Sequence, residues 1–261
     1  MNYEFTTRSM NPKKQTSLIE YLKKNQGYLF DTGEFVFDTK SLSTPIVLSK
    51  CLGCEKYHGV NCCEGSPYPL VSENQNKLNT ILKDVLKWTS NYKTLSSDIL
   101  SMSKSVYTRS GTFIGMKEGG CLFNVFKDDV DKCAIHGYCL DNGLNYMEYK
   151  PYICSMYPIF VVRLDSGKKV VFCSNKETQG FTLYWYTLTK RFCVNKPVMD
   201  RALSGDAGRS TYIKNLNMKK IQEDKVAEGY LPAYKSQENV LRFFVGESYD
   251  KLVERMSQNV I

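Results

Sequence analysis

The sequence predicts an α+β fold in which a small cysteine-rich core with short antiparallel hairpins packs against several helices. Three observations support this fold class. Some short segments alternate apolar and polar residues or are joined by tight turns, which predicts strands and hairpins. Other segments repeat apolar residues at helical spacing, and all ten cysteines lie between residues 51 and 193. At 261 residues, the chain can form one large domain or one domain with an appended subdomain.

Composition narrows the class of protein. Hydrophobic residues make up 42% of the chain and charged residues 24%, which is ordinary for a globular protein. No apolar run approaches the roughly 18 residues of a membrane helix, and residues 1–15 lack the apolar centre of a secretory signal. We therefore expect a cytoplasmic protein with no membrane partner. The net charge of +8 comes from scattered lysines, so we favour a solvated surface over a nucleic-acid interface.

Three segments are predicted along the chain. Residues 1–34 form an N-terminal lead and a helix, whose apolar spacing is visible in residues 17–22. Residues 35–175 form a cysteine-cluster domain, which begins with a strand in residues 34–38. Residues 176–261 form an aromatic-rich and helical C-terminal region.

A longer helix is predicted to begin at Ser72, which forms a capping-box pattern with Gln75. Apolar residues follow at helical spacing from Leu78 to Leu86 and predict a core-facing side. A short strand is expected in residues 112–115. The polar turn at residues 127–131 then places Cys121 and Cys133 at matching ends of a hairpin.

Cys154 lies between Pro151 and Pro158, and the two prolines predict a stiff, extended loop. A hairpin with a turn centred near Ser166 follows. Its pairing places Cys173 opposite Ile159 or Phe160, a short step from Cys154.

The C-terminal region has dense aromatic residues between 181 and 192, which we interpret as core, with the wall of a ligand pocket as the alternative. Helical spacing in residues 213–221 predicts one helix. The same spacing in residues 237–258 predicts a longer one.

Among the residue types of this sequence, cysteine is the one that indicates a functional site. Four cysteines fall within residues 51–63, and Cys51 and Cys54 have the CxxC spacing common to metal and redox sites. Neighbouring side chains point apart, so Cys62 and Cys63 are expected to serve different positions. With only two histidines, a metal site must be dominated by thiolate, which selects zinc, copper(I) or iron–sulfur. The predicted metal ligands are Cys51, Cys54, Cys62, Cys63, Cys121, Cys133, Cys154 and Cys173. We interpret His136 as a structural residue rather than a ninth ligand.

The order of these motifs resembles a known framework. Its features are the early cysteines ending in Cys63-Glu64-Gly65, Cys121-Leu122-Phe123, Cys133-Ala134-Ile135, the block from Pro151 to Pro158, and Cys173-Ser174. They resemble the YkgJ-type family of cysteine-cluster proteins, described as zinc- or iron-chelating, which is related to flagellin lysine-N-methylase. The resemblance covers about residues 35–175. Cys139 and Cys193 lie outside its pattern, so we expect them not to be ligands.

The resemblance implies an iron–sulfur protein, because eight thiolates suffice for one or two [4Fe-4S] clusters. It also implies an enzyme in which a cluster binds S-adenosylmethionine to methylate an amine or a peptide side chain such as lysine. The substrate would then be a peptide, a protein or a small amine. The chain has no glycine-rich nucleotide-binding motif, so that cofactor would bind at the metal. The alternative is a zinc-binding structural or interaction module without catalytic activity. The single CxxC favours iron–sulfur over zinc.

Overall fold

A computed structural model describes residues 1–6, 8–48, 55–58, 69–102, 106–108, 111, 113–117, 120–127, 130–182 and 190–258. The helices are α1 (Pro12–Lys24), α2 (Thr39–Leu42), α3 (Glu55–His58), α4 (Ser72–Ser90), α5 (Ser97–Leu100), α6 (Ala134–Asp141), α7 (Tyr152–Met156), α8 (Lys196–Leu203), α9 (Thr211–Lys214), α10 (Met218–Glu223), α11 (Ala233–Ser236), α12 (Glu238–Val245) and α13 (Ser248–Gln258). The strands are β1 (Asn2–Tyr3), β2 (Leu29–Asp31), β3 (Phe35–Asp38), β4 (Pro45–Ile46), β5 (Tyr107–Thr108), β6 (Phe113–Ile114), β7 (Met116–Lys117), β8 (Gly120–Cys121), β9 (Asn124–Lys127), β10 (Val130–Cys133), β11 (Ile159–Arg163), β12 (Lys169–Cys173) and β13 (Leu231–Pro232).

This mixture of helices and short antiparallel hairpins confirms the predicted α+β class. The chain forms two compact units. The sheet unit comprises Met1–Cys51 and Met156–Ile261, and the hairpin unit comprises Leu52–Ser155. Because β3 pairs with β12, residues from the start and the middle of the chain share one sheet. The units therefore divide the chain at other points than the three predicted segments.

The sheet unit is built on five strands in the order β1-β11-β12-β3-β2. The pairs are antiparallel except for β3 and β12, which run parallel. In the β11–β12 hairpin, Ile159 pairs with Cys173, which confirms the register predicted from the turn near Ser166. Phe160, Phe172 and Phe181 form an aromatic core on this sheet, with the Phe160 and Phe172 ring centroids 5.1 Å apart. The packing of these buried rings holds β12 in place, and with it Cys173 at the end of this strand.

The helices of the sheet unit follow local capping signals. Helix α1 is longer than its apolar stretch because the Asn11 side chain accepts a hydrogen bond from Lys14 N and Pro12 occupies the first turn. The single helix predicted for residues 237–258 is two helices, α12 and α13. Gly246 separates them with φ of +54°, a conformation that favours glycine. The helix predicted for residues 213–221 is likewise divided into α9 and α10.

Helix α4 organises the hairpin unit. Its buried face confirms the predicted spacing and contains Leu78, Leu82, Val85 and Leu86. The predicted capping box is wrong, because Val71 occupies the N-cap position. The Gln75 side chain does not bond to the backbone at the N-cap. It donates a hydrogen bond to the Gly111 carbonyl at 2.6 Å. Helix α4 packs against α6, which follows the β9–β10 hairpin directly.

The Cys154 segment is a short helix, α7, and the predicted extended loop is wrong. Pro151 immediately precedes the helix, where the missing N–H of proline costs no hydrogen bond. Its carbonyl accepts a hydrogen bond from Cys154 N at 2.9 Å. The helix ends at Met156, since a residue before proline disfavours the helical region. None of the helices in the described part of the chain combines the length and apolar character that crossing a membrane requires.

Candidate metal centre

The eight predicted ligands divide into two groups of four. Cys51, Cys54, Cys62 and Cys63 lie outside the described residues. Of the others, Cys121, Cys133 and Cys154 belong to the hairpin unit and Cys173 belongs to the sheet unit. All four are free thiols in the structure.

Three elements of the hairpin unit carry predicted thiol ligands. Cys121 ends β8, Cys133 ends β10 at the start of α6, and Cys154 lies within α7. Burial raises the pKa of Cys121 to about 12, and the nearby charge of Cys133 raises it further. Burial also raises the pKa of Cys154 to about 12, with smaller contributions in the same direction from Cys133 and Cys121. The charge of Cys133 thus acts on both Cys121 and Cys154.

The predicted hairpin between Cys121 and Cys133 is present in part. Strands β9 and β10 are antiparallel, and Cys133 pairs with Asn124. Cys121 lies three residues earlier, in β8, where it pairs with Met116. The Phe123 carbonyl accepts a hydrogen bond from Ala134 N at 2.7 Å, which anchors the start of α6 beside the β8–β9 connection. Two successive small ladders, rather than one long hairpin, position these thiols.

The Cys154 side chain is accessible to solvent, although enough protein surrounds it to raise its pKa. The positive charge of Lys150 acts in the opposite direction and lowers this pKa. A solvent-accessible thiol can be reached by a metal ion.

Cys139 also lies near Cys133, although the sequence framework predicts that it is not a ligand. It lies on the fully buried face of α6 with Ala134 and Ile135. Burial raises the pKa of Cys139 to about 12, and Cys133 raises it further. The four-residue spacing from Ile135 to Cys139 was the available signal, because it places both side chains on one helical face.

Lys150 is a buried cation in this region. Its charge lowers the pKa of Cys154 and of Cys139, against the larger effect of burial. Its Nζ lies 5.4 Å from the ring centroid of Tyr146. A buried ammonium favours neighbouring thiolates, which is the charged form that binds metals.

His136 stacks on Tyr146, with ring centroids 3.8 Å apart and planes inclined by 27°. Burial lowers the pKa of His136 to about 4, and the charge of Lys150 lowers it further. The imidazole is therefore neutral at physiological pH. This stacking accounts for His136 as a structural residue, in line with the interpretation from sequence.

The segment that carries the first cysteines contributes one described element. Helix α3 lies between Cys54 and Cys62 in the sequence and packs against β10. Tyr57, in its middle, is fully buried. Strand β10 ends at Cys133, so the described part of the early cysteine segment contacts the strand that carries a later thiol.

The thiols of the hairpin unit are of the type that binds a metal as thiolates. The described residues contain only some of the predicted ligands. Among the described residues, no three cysteine, histidine or acidic side chains converge closely enough to hold an ion. Ser155, which follows Cys154, has a buried hydroxyl without a hydrogen-bond partner in the described part of the chain, as does the Asn74 side-chain oxygen. Buried polar atoms are normally paired, so these two atoms are exceptions within the described residues.

Cysteines of the sheet unit have a different environment. Cys173 is fully buried at the end of β12, and its backbone N–H donates to Ser41 Oγ at 3.0 Å. Burial raises its pKa, with a further contribution from Asp38. Cys193 is also buried, and its carbonyl accepts a hydrogen bond from Val47 N at 2.8 Å. The ligand role of Cys173 and the non-ligand role of Cys193 stay predictions.

The fold is a mixed α+β arrangement with a group of thiols in the hairpin unit. Comparisons with protein-family models, with curated proteins and with solved structures found no match to this chain. Its function is therefore inferred from the chemistry of the thiol group and from the sequence framework.

Proposed function

We propose that the chain is an iron–sulfur protein that binds one or two [4Fe-4S] clusters through cysteine thiolates. The observation that carries this proposal is the placement of Cys121, Cys133 and Cys154 in one compact unit, at the end of β8, at the end of β10 and within α7. The proposed ligands are those predicted from the sequence: Cys51, Cys54, Cys62, Cys63, Cys121, Cys133, Cys154 and Cys173.

The raised pKa values of Cys121 and Cys154 define what a metal centre must overcome. Thiols with a pKa of about 12 are protonated at neutral pH, and adjacent thiolates repel one another. A metal centre supplies the positive charge that allows several thiolates to form side by side, with release of their protons. The ammonium group of Lys150 supplies one further positive charge.

The proposed activity follows the resemblance of the cysteine framework. A bound cluster supplies electron transfer and, with S-adenosylmethionine, the methylation of an amine or a peptide side chain such as lysine. The residues of the chain have simpler roles. Lys150 offsets the negative charge of the thiolates, and its ammonium group lies over the ring of Tyr146, on which His136 stacks.

A zinc-binding module without catalytic activity is the second candidate. The observation that favours it is the small size of the ladders in the hairpin unit, since β5–β6, β7–β8 and β9–β10 each pair two strands within the residues that the structure describes. An isolated two-stranded hairpin is marginally stable in water. A closed zinc site would supply folding free energy to such a unit.

Metal analysis distinguishes the two candidates. The chain is purified without oxygen, and its iron, sulfide and zinc contents are measured together with its visible spectrum. We expect a brown protein with a broad absorption band at about 400 nm and stoichiometric sulfide. A colourless protein that holds zinc would overturn the iron–sulfur proposal and leave the zinc module.

Serine variants test the ligand assignment. Cys154→Ser should lose metal, whereas Cys193→Ser, in the sheet unit, and Cys139→Ser should retain it. Equal metal loss in all three variants would show that the ligand set is misassigned.

The enzymatic part has its own test. The iron–sulfur form is incubated with S-adenosylmethionine and a reductant, and cofactor consumption is followed with the electron paramagnetic resonance spectrum of the cluster. We expect a perturbed spectrum and consumption of the cofactor. An unchanged spectrum without consumption would remove the methylation proposal and leave the iron–sulfur assignment intact.

A further inference from the structure

Lys127 lies against two aromatic rings on the surface of the hairpin unit. Its Nζ is 5.1 Å from the ring centroid of Trp88 and 5.0 Å from that of Tyr92. The two rings are four residues apart on α4 and its C-terminal end, with centroids 4.7 Å apart and planes inclined by 50°. They form an aromatic corner, and both rings are partly exposed.

A carboxylate completes the arrangement. Asp141, the last residue of α6, accepts a hydrogen bond from Trp88 Nε1 at 2.8 Å. The same carboxylate oxygen lies 4.0 Å from Lys127 Nζ. The ammonium group is thus surrounded by two ring faces and one negative charge, which are the groups that attract cations in proteins.

Gly137 fixes the Trp88 ring from another side. A Cβ at this position of α6 would lie 2.6 Å from Trp88 Cη2 and 2.9 Å from Cζ2, so only glycine allows the ring to lie this close to the helix. Gly137 and Asp141 are four residues apart and share one helical face. Two residues of α6 therefore position the indole ring: Gly137 lies against its edge, and Asp141 accepts a hydrogen bond from its N–H. Neither contact involves Lys127.

We propose that Trp88, Tyr92 and Asp141 form a binding site for methylated ammonium groups, and that Lys127 is its intramolecular occupant. We call this set the cation site. The proposal does not depend on the cysteines or on any metal.

The chemistry favours a methylated ligand over the resident lysine. A lysine ammonium is a compact, strongly hydrated charge, and the Lys127 side chain remains 24% exposed. A trimethylammonium group presents methyl groups to the rings and loses less hydration on binding, which is why aromatic corners bind such ions. Choline and trimethyl-lysine carry this same head group. Either would replace Lys127 by swinging its long side chain into solvent.

Fluorescence titration with tetramethylammonium chloride tests the cation site. The chain contains two tryptophans, so Trp185→Phe leaves Trp88 as the single emitter. Sodium chloride at equal ionic strength is the solvent control. We expect a saturable change, with binding about tenfold tighter in Lys127→Ala because the resident occupant is gone. Lys87→Ala, which removes an exposed lysine next to Trp88 in sequence, should bind like the parent.

Two further variants test the other groups. Tyr92→Leu and Asp141→Asn, each combined with Lys127→Ala, should weaken binding by roughly tenfold, with folding checked by circular dichroism. The indole N–H signal of Trp88 in the nuclear magnetic resonance spectrum of the otherwise unchanged chain gives a second readout if Trp185→Phe does not fold. No saturable change in Lys127→Ala, or unchanged affinity in both further variants, would overturn the proposal.

Comparison of ligands identifies the head group and its source. Choline and trimethyl-lysine should both bind, and the tighter of the two indicates whether the natural ligand is a choline compound or a methylated lysine side chain. Butylammonium, which keeps the charge without the methyl groups, should bind at least several-fold more weakly. Equal binding of butylammonium would contradict a site for methylated cations.

Discussion

Cysteines have different surroundings in the two units. In the sheet unit, Cys173 lies at the end of a central strand under an aromatic core, and its neighbouring charge is Asp38. In the hairpin unit, Cys121 and Cys154 lie within range of other thiols and of the buried Lys150 or, for Cys121, of Lys93. Five paired strands can stabilise the sheet unit through apolar packing, whereas two-stranded ladders provide little support by themselves. The hairpin unit also has an apolar core on α4, where Leu78, Leu82, Val85 and Leu86 are buried. If the proposed metal centre is present, it adds to the stability of the hairpin unit and not to that of the sheet unit.

Metal removal should have the largest effect. Structural metal sites in small domains contribute on the order of 10 kcal/mol to folding, so a chelator should unfold the hairpin unit selectively. Hydrogen exchange of backbone amides is the measurement. Amides of α4 and α6 should lose protection, while those of β11 and β12 keep it. Equal loss in both units, or no loss in either, would contradict the comparison.

The opposite perturbation is a cavity in the sheet unit. Phe172 is fully buried between Phe160 and Phe181, so Phe172→Ala should lower the free energy of unfolding by about 3–5 kcal/mol. Urea denaturation measures this change, and the metal content of the folded fraction should stay that of the parent. A variant that loses metal in proportion to stability would show that the two units are not energetically separate.

Local patterns predicted several of the longer helices and strands, among them α4, β11 and β12. The register of Ile159 with Cys173 followed from the short turn near Ser166, and the buried face of α4 followed from apolar spacing. Both depend on residues close together in the chain. The break at Gly246 could have been anticipated from a glycine inside an apolar helical pattern.

Other features required the folded chain. The flanking prolines restrict φ at two positions, yet they permit the single helical turn that contains Cys154. The parallel pairing of β3 with β12 joins distant segments, and apolar alternation in either strand does not specify the partner. The grouping of Cys139 with Cys133, and the burial of Lys150 beside them, likewise depend on how α6 packs. Spacing in the sequence identified the thiols but not these neighbours.

A matched pair of glycine variants tests the packing between α6 and α4. Gly137→Ala should cost about 2 kcal/mol of unfolding free energy, because the added Cβ would lie 2.6 Å from the Trp88 ring. Gly27→Ala in the sheet unit is the control, since a Cβ there meets nothing within 4 Å. Thermal denaturation and Trp88 fluorescence measure the effect. Similar stabilities of the two variants would contradict the close approach of the ring.

The smallest expected effect is a pH dependence of the metal-free chain. The pKa of His136 is lowered from 6.5 to about 4, so the unfolded chain binds the extra proton first as pH falls. Stability should therefore be lost between pH 6.5 and about 4, by about 1 kcal/mol once partial exposure is considered. His136→Phe keeps the stacking on Tyr146 without the titration. Denaturant midpoints across this range should show a shallower slope for the variant, and parallel curves would exclude the effect.

X-ray absorption spectroscopy of the bound metal tests the central claim most directly, because it measures which atoms surround the ion. We predict iron with a shell of sulfur neighbours at about 2.3 Å together with an iron–iron distance, and loss of that signal in Cys154→Ser. A shell of oxygen and nitrogen atoms, unchanged by that substitution, would mean that the thiols of the hairpin unit do not hold the metal.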